Sequence, residues 1–222
     1  SAITCQHKYW SRIEQKKVVP EQVPAFAVVN PYDAPTLKQI DLDAPFWLKP
    51  IKGHSSELSF WITNEEELQH AYPKIQQHIK HFAEPFNYFL SSIDLPEEIH
   101  GIDGHHCIAE KNIHGFQCTL SGYVQDQQVF CYGLVDSVHY DEAPSFFYYY
   151  LPSDLPQAVQ QRMQEIAKTI MLHIGFDFSP FNIEFFYNQE EDSIHILEIN
   201  PRMSQSHADL YYKVDGVSNH QV

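Results

Sequence analysis

At 222 residues the chain is long enough for one large domain or two small ones, and its 43% hydrophobic and 14% aromatic content excludes a disordered polymer. Its 14 Lys and Arg against 29 Asp and Glu leave a formal charge of −15, which argues against nucleic-acid binding; an anionic ligand must be met by a few placed cations against a repulsive field. No run approaches the ~18 consecutive apolar residues of a membrane span, no signal peptide opens the chain, and the cysteines lack CxxC pairing or zinc spacing, so they read as reduced thiols of a cytoplasmic protein.

In chain order, residues 5–17 predict a helix with Tyr9, Trp10 and Ile13 on an apolar face, ended by Pro20 and Pro24. Residues 25–29 and 46–50 read as short strands, with a small-residue loop from 51 to 59. Asn64 caps a helix that opens on Glu65, Glu66 and Glu67 and runs to about His81, and a second covers 84–90. A strand at 106–111 precedes a hairpin of 116–125 and 128–138 turning at Asp126-Gln127. Ser153 or Asp154 caps a helix over 157–174, with Val159, Met163, Ile166, Ala167, Ile170 and Ile174 on one face and Gly175 ending it. Strands at 182–187 and 193–199 flank an acidic turn. Mixed strands and helices with hairpins predict an α+β fold. The abrupt start and the turn at Asp215-Gly216 read as part of a longer protein.

The last two strands carry the chemistry. Asn182, Glu184 and Phe186 alternate on one; Ile196, Glu198 and Asn200 alternate on the next. A tight hairpin sets Glu184 beside Glu198, and opposed carboxylates repel unless a cation lies between them or one takes a proton. With Asn200 they form three hard oxygen ligands, a set for Mg²⁺ or, as second choice, Mn²⁺. Arg202, just beyond Pro201, offers a bidentate grip on phosphate or carboxylate, and the combination points to phosphoryl transfer. A solvated hairpin with a Glu198–Arg202 ion pair is the plainer alternative.

NIEFFY (182–187), the acidic turn and ILEINPR (196–202) together resemble the metal-binding hairpin of the ATP-grasp superfamily. Three upstream stretches extend the resemblance in the expected order. His7-Lys8 falls at the family's phosphate-contacting lysine, and Lys49-Pro50 with Gly53, Ser55 and Ser56 resembles its strand lysine and phosphate loop. AEKNIHGFQ (109–117) resembles the adenine hinge. The loop departs from the family's glycine-rich form at Ser55, Glu57 and Leu58.

The resemblance implies an ATP-grasp fold whose two α+β lobes clamp ATP: a small lobe over about 25–108, a large lobe over about 109–222, and an N-terminal domain missing from the sequence. Lys8 and Lys49 would neutralise phosphates, and backbone N–H groups of Gly53, Ser55 and Ser56 would cover them. Backbone groups of Glu110, Lys111 and Ile113 would read adenine, and Gln117 would accept from the ribose hydroxyls. Glu184, Glu198 and Asn200 would hold Mg²⁺, and Arg202 would steady the transferred group, so that Lys49, Asn200 and Arg202 carry catalysis. The implied activity is ADP-forming ligation, in which a carboxylate becomes an acyl phosphate that an amine then attacks. The implied partners are ATP, a small carboxylate, an amine and further domains of the full-length chain. The tail after Arg202 resembles carbamoyl phosphate synthetase, with Gln205 in place of a second arginine. It also resembles biotin carboxylase through His207, with Ser206 in place of the glutamate base. Those departures favour the carboxylate–amine ligase branch over bicarbonate activation. His207 is either a substrate contact or a polar loop residue, and a nucleotide-binding module without catalysis is the other reading.

Overall fold

The computed structural model describes residues 1–54, 56–139 and 146–216. The chain divides into two compact units that interleave in sequence. One joins Gln6–Ile13 to Pro24–Asn112; the other joins Ser1–Cys5 and Glu14–Val23 to the chain from Ile113 onward.

The expected N-terminal helix is two, α1 (Ala2–Gln6) and α2 (Lys8–Val18), interrupted at His7. The His7 Nδ1 accepts from the Trp10 N–H (3.1 Å), so its Nε2 donates to the Ile102 carbonyl (3.0 Å). Arg12 is buried on α2 while Tyr9, Trp10 and Ile13 are only half-buried. The apolar face expected there is not the buried one, because Arg12 has an acidic partner in Glu110.

The four-stranded unit is an antiparallel sheet of β1 (Phe26–Val29), β2 (Phe46–Pro50), β3 (Phe60–Ile62) and β4 (Cys107–Glu110), in the order β1-β4-β2-β3. Along β2, Phe46 and Leu48 enter a core with Ile62, Leu68, Tyr72, Ile75 and Ala109, so period-2 alternation turns Trp47 and Lys49 to the other face. The core helix α3 (Glu65–His78) starts where the Asn64 side chain accepts from the Glu67 N–H, with three glutamates in its first turn. It stops short of His81, and α4 (Lys80–Leu90) begins before Glu84 because Phe82 and Ala83 already lie on its buried face. The three-residue β3 lies where the sequence predicts no strand.

In the other unit, β5 (Phe116–Gln125), β6 (Gln128–His139), β7 (Phe146–Tyr150), β8 (Ser179–Asn188) and β9 (Ser193–Asn200) form an antiparallel sheet ordered β7-β6-β5-β8-β9. Asp126 and Gln127, both at positive φ (51° and 60°), make the two-residue turn between β5 and β6. Gly122 sits at a register shift; a Cβ there would press into the Phe130 carbonyl and stand 2.6 Å from the Phe181 ring. Leu120, Phe181, Ile183, Phe185, Ile194, Ile196 and Ile199 share a core with Val159, Met163, Ala167 and Ile170 of α5 (Gln157–His173); Cys5 and Val19 belong to it too. Gly175 ends α5 at φ 62°. Neither expected residue caps its start: the Ser153 Oγ accepts from the Leu155 N–H and the Asp154 N–H donates to Asp136. The tail, for which the sequence predicts no helix, forms α6 (Gln205–Asp215), burying His207 and Tyr211.

The register of the last hairpin is irregular at one point. Glu184 pairs with Glu198, but Phe185 pairs with Ile196, so Leu197 is an extra residue, a β-bulge. Ile196 and Ile199 both face the core, and Ile196 does not share a face with Glu198 as strict alternation suggested.

Candidate functional site

The sheet face opposite α5 is polar. Thr119 pairs with Glu184, Ser121 with Asn182, Glu184 with Glu198 and Asn182 with Asn200, which sets these side chains in rows across β5, β8 and β9. Gln117, Thr119, Ser121, Ser137 and Asn182 are buried on it.

At its centre the half-buried Glu184 accepts from Gln117 Nε2 (3.1 Å) through one oxygen and from Asn200 Nδ2 (3.3 Å) through the other. Asn200 also donates to Asn182 Oδ1 (3.1 Å), and Asn182 Nδ2 donates to the Arg202 carbonyl (2.8 Å). Burial, then the charge of Glu198, push the Glu184 carboxyl up to about 7; hydrogen bonds from Gln117 and Asn200 and the Arg202 charge pull the other way. Among the described residues no group of three or more His, Cys, Asp and Glu is placed to hold a metal. The donors here are two carboxylates and a carboxamide, hard oxygens of the kind Mg²⁺ takes, and a divalent cation would offset the repulsion that raises Glu184. The set fits such an ion. Arg202 is exposed and donates to the Met203 carbonyl (3.2 Å).

The other unit gathers cations around Glu110, whose side chain is 4% exposed. Arg12 Nε donates to it at 2.5 Å, and Lys49 Nζ pairs with its second oxygen. Burial alone would raise this carboxyl; the charges of Arg12 and Lys49 outweigh it and hold it at about 2. Lys8 Nζ donates to the Gly53 carbonyl (2.9 Å) and its backbone N–H to the Ile51 carbonyl (3.2 Å), tying α2 to the loop after β2. Ser56 and Leu58 take left-handed φ (both 57°), whereas Gly53 does not and has ordinary contact distances around it. The strained positions of the loop are thus not its glycine. Ser55 lies outside the described residues.

At two of the expected positions hydrogen bonds are already made within the chain. The backbone N–H of Lys111 already donates to the Ala25 carbonyl (2.9 Å), and its Nζ to the Asp43 carbonyl (2.6 Å), so that N–H is committed to the sheet margin. Glu110 acts through its side chain as the partner of Arg12 and Lys49. Ile113 directly follows the division between the units. Gln117 is buried with both ends of its amide engaged, by Glu184 and by His139 Nε2 (2.7 Å), so it bridges two side chains and its oxygen already accepts one hydrogen bond. His207 is a buried helix residue against the Tyr149 ring, and burial pushes its imidazole down to about 4, so it is neutral near pH 7. Sequence reasoning misses Arg12 and His139. His139 carries a signal, since it follows Asp136, which pairs with Cys118, by an odd number of positions and so shares the face of Gln117.

Residues 42–208 match the ATP-grasp domain family. No curated protein matches the chain. Among solved structures, the L-amino acid ligase of Bacillus licheniformis is similar at 15% identity and TM-score 0.68, over 98% of this chain and 46% of its own. The VanG D-Ala:D-Ser ligase of Enterococcus faecalis is similar at 17% and 0.65, over 98% and 59%. The N5-carboxyaminoimidazole synthase of Aspergillus clavatus, in complex with ADP and 5-aminoimidazole ribonucleotide, is similar at 20% and 0.62, over 92% and 46%. The chain spans about half the length of these structures, and at such identities the likeness is one of fold. With a match over most of its length and a mixed α/β architecture of antiparallel sheets, the chain belongs to the ATP-grasp family.

Proposed function

We propose that the chain is the nucleotide-handling part of an ADP-forming carboxylate–amine ligase. The observation that carries this reading is the polar sheet face on which Glu184, Glu198 and Asn200 converge, with Arg202 just beyond. The L-amino acid and D-Ala:D-Ser ligase names of two relatives, and the ADP held by a third, support it.

Glu184, Glu198 and Asn200 would hold Mg²⁺ or Mn²⁺, and the ion would supply charge neutralisation at the phosphates. Lys8, Lys49 and backbone groups of Gly53, Ser55 and Ser56 serve the phosphates. The carbonyl of Lys111 and the backbone of Glu110 and Ile113 remain our assignment for adenine. In the first step a substrate carboxylate oxygen attacks the γ-phosphorus, the bridging P–O bond breaks and ADP leaves. In the second an amine nitrogen attacks the acyl carbon, the C–O bond to phosphate breaks and the amine proton is lost to base. Asn200 and Lys49 orient and neutralise, and Arg202 grips the transferred group or the carboxylate. The free thiols, raised by burial at Cys5, Cys107, Cys118 and Cys131, suit a reducing compartment, and we place the protein in the cytoplasm.

Calorimetric titration of the full-length protein with a non-hydrolysable ATP analogue tests this reading. Binding should strengthen with Mg²⁺, and Glu198→Gln should weaken the Mg²⁺-dependent part at least about tenfold, about 1.4 kcal/mol. Binding indifferent to both Mg²⁺ and the substitution sinks the assignment.

A further inference from the structure

The contacts of Glu184 do not stop at its immediate neighbours. One oxygen is met from β9 by Asn200 and the other from β5 by Gln117. Ionised, as a metal ligand must be, Glu184 only accepts, so the end of the Gln117 amide facing it is the NH₂. That leaves its oxygen facing His139, 2.7 Å away, and the proton in that contact therefore sits on His139 Nε2. The direction of donation runs from imidazole to amide to carboxylate.

We propose that His139 is a positioning residue for the divalent cation, holding Gln117 in the orientation that keeps Glu184 aimed to ligate. The inference rests on the reading of Glu184 as a metal ligand and adds a residue to that site. Gln117 is 6% exposed, so water cannot readily stand in for a lost partner. Without the His139 donor the buried amide oxygen loses its described side-chain partner, and Gln117 is held on the Glu184 side alone. His139 is half-buried at the end of β6, on the face that carries Gln117, and groups one step removed from a metal commonly tune its affinity in this way. The competing view is that His139 only fills space.

Titration of the full-length protein with Mn²⁺ in the presence of ADP, reading free Mn²⁺ by electron paramagnetic resonance, separates the two. His139→Phe keeps the bulk and removes the donor; it should weaken Mn²⁺ binding about tenfold. His139→Gln restores an N–H near the Nε2 position and should recover affinity to within about threefold of native. Gln117→Leu should weaken binding as much as H139F, and adding H139F to it should cost nothing more. The Q117L and H139Q arms stand even where H139F folds poorly: native-like Mn²⁺ affinity in Q117L also overturns the inference. Native-like affinity in H139F, or no recovery in H139Q, overturns the inference while leaving the metal site intact. Glu184→Gln with unchanged Mn²⁺ binding overturns the metal-ligand reading, and the positioning role with it.

Discussion

Glu110 accepts from Arg12 and Lys49 in a site nearly closed to water, and such an arrangement is costly to break on one side. Glu110→Gln leaves a guanidinium buried without its counter-charge and should destabilise the fold by about 3–5 kcal/mol in urea unfolding. The sign with pH follows from the carboxyl being held near 2, below its ordinary 4.5. Its contribution is complete above about 4.5 and is lost as pH falls toward about 2. Unfolding curves taken down that range should show the loss in the native protein and a shallower one in E110Q; parallel curves would count against the ion pair. None of this is legible in sequence, because Arg12 and Glu110 lie 98 positions apart and nothing local registers them. The Glu184–Glu198 pair is legible, since a short hairpin fixes which residues stand opposite.

At the scale of elements, the bulge at Leu197 accounts for the pattern at the end of β9. Ile194, Ile196 and Ile199 face the core at spacings of two and then three, the mark of one extra residue. Deleting Leu197 restores strict alternation and keeps these isoleucines inward and Glu198 and Asn200 on the polar face. The fold should therefore persist, with a melting temperature within a few degrees of native, while Mn²⁺ affinity drops about tenfold because the bulge no longer aims Glu198. Loss of folding in the deletion variant would show that the bulge serves the core instead. That irregular spacing is present in the sequence, but plain alternation describes the same letters nearly as well. Strong patterns such as β2, β5, α5 and the Asn64 cap are readable nearly to the residue. Three residues of β3 are too few for a period, the aromatic run of β7 does not alternate, and α6 begins in small polar residues that also make loops.

At the scale of the molecule, the two units are threaded through one another along the chain. Cys5 and Val19 pack in a core whose other members all lie beyond residue 113, while residues 24–112 build a separate one. A fragment of residues 113–222 should therefore be poorly folded by amide exchange, and a synthetic peptide of residues 1–23 added to it should restore protection. Full protection of the fragment alone would contradict that dependence. The same threading sets a schedule on the ribosome. Cys5 and Val19 leave the exit tunnel ahead of the rest of their core: they must wait, unsatisfied, while residues 24–112 emerge and close a core of their own, until the chain beyond residue 113 follows.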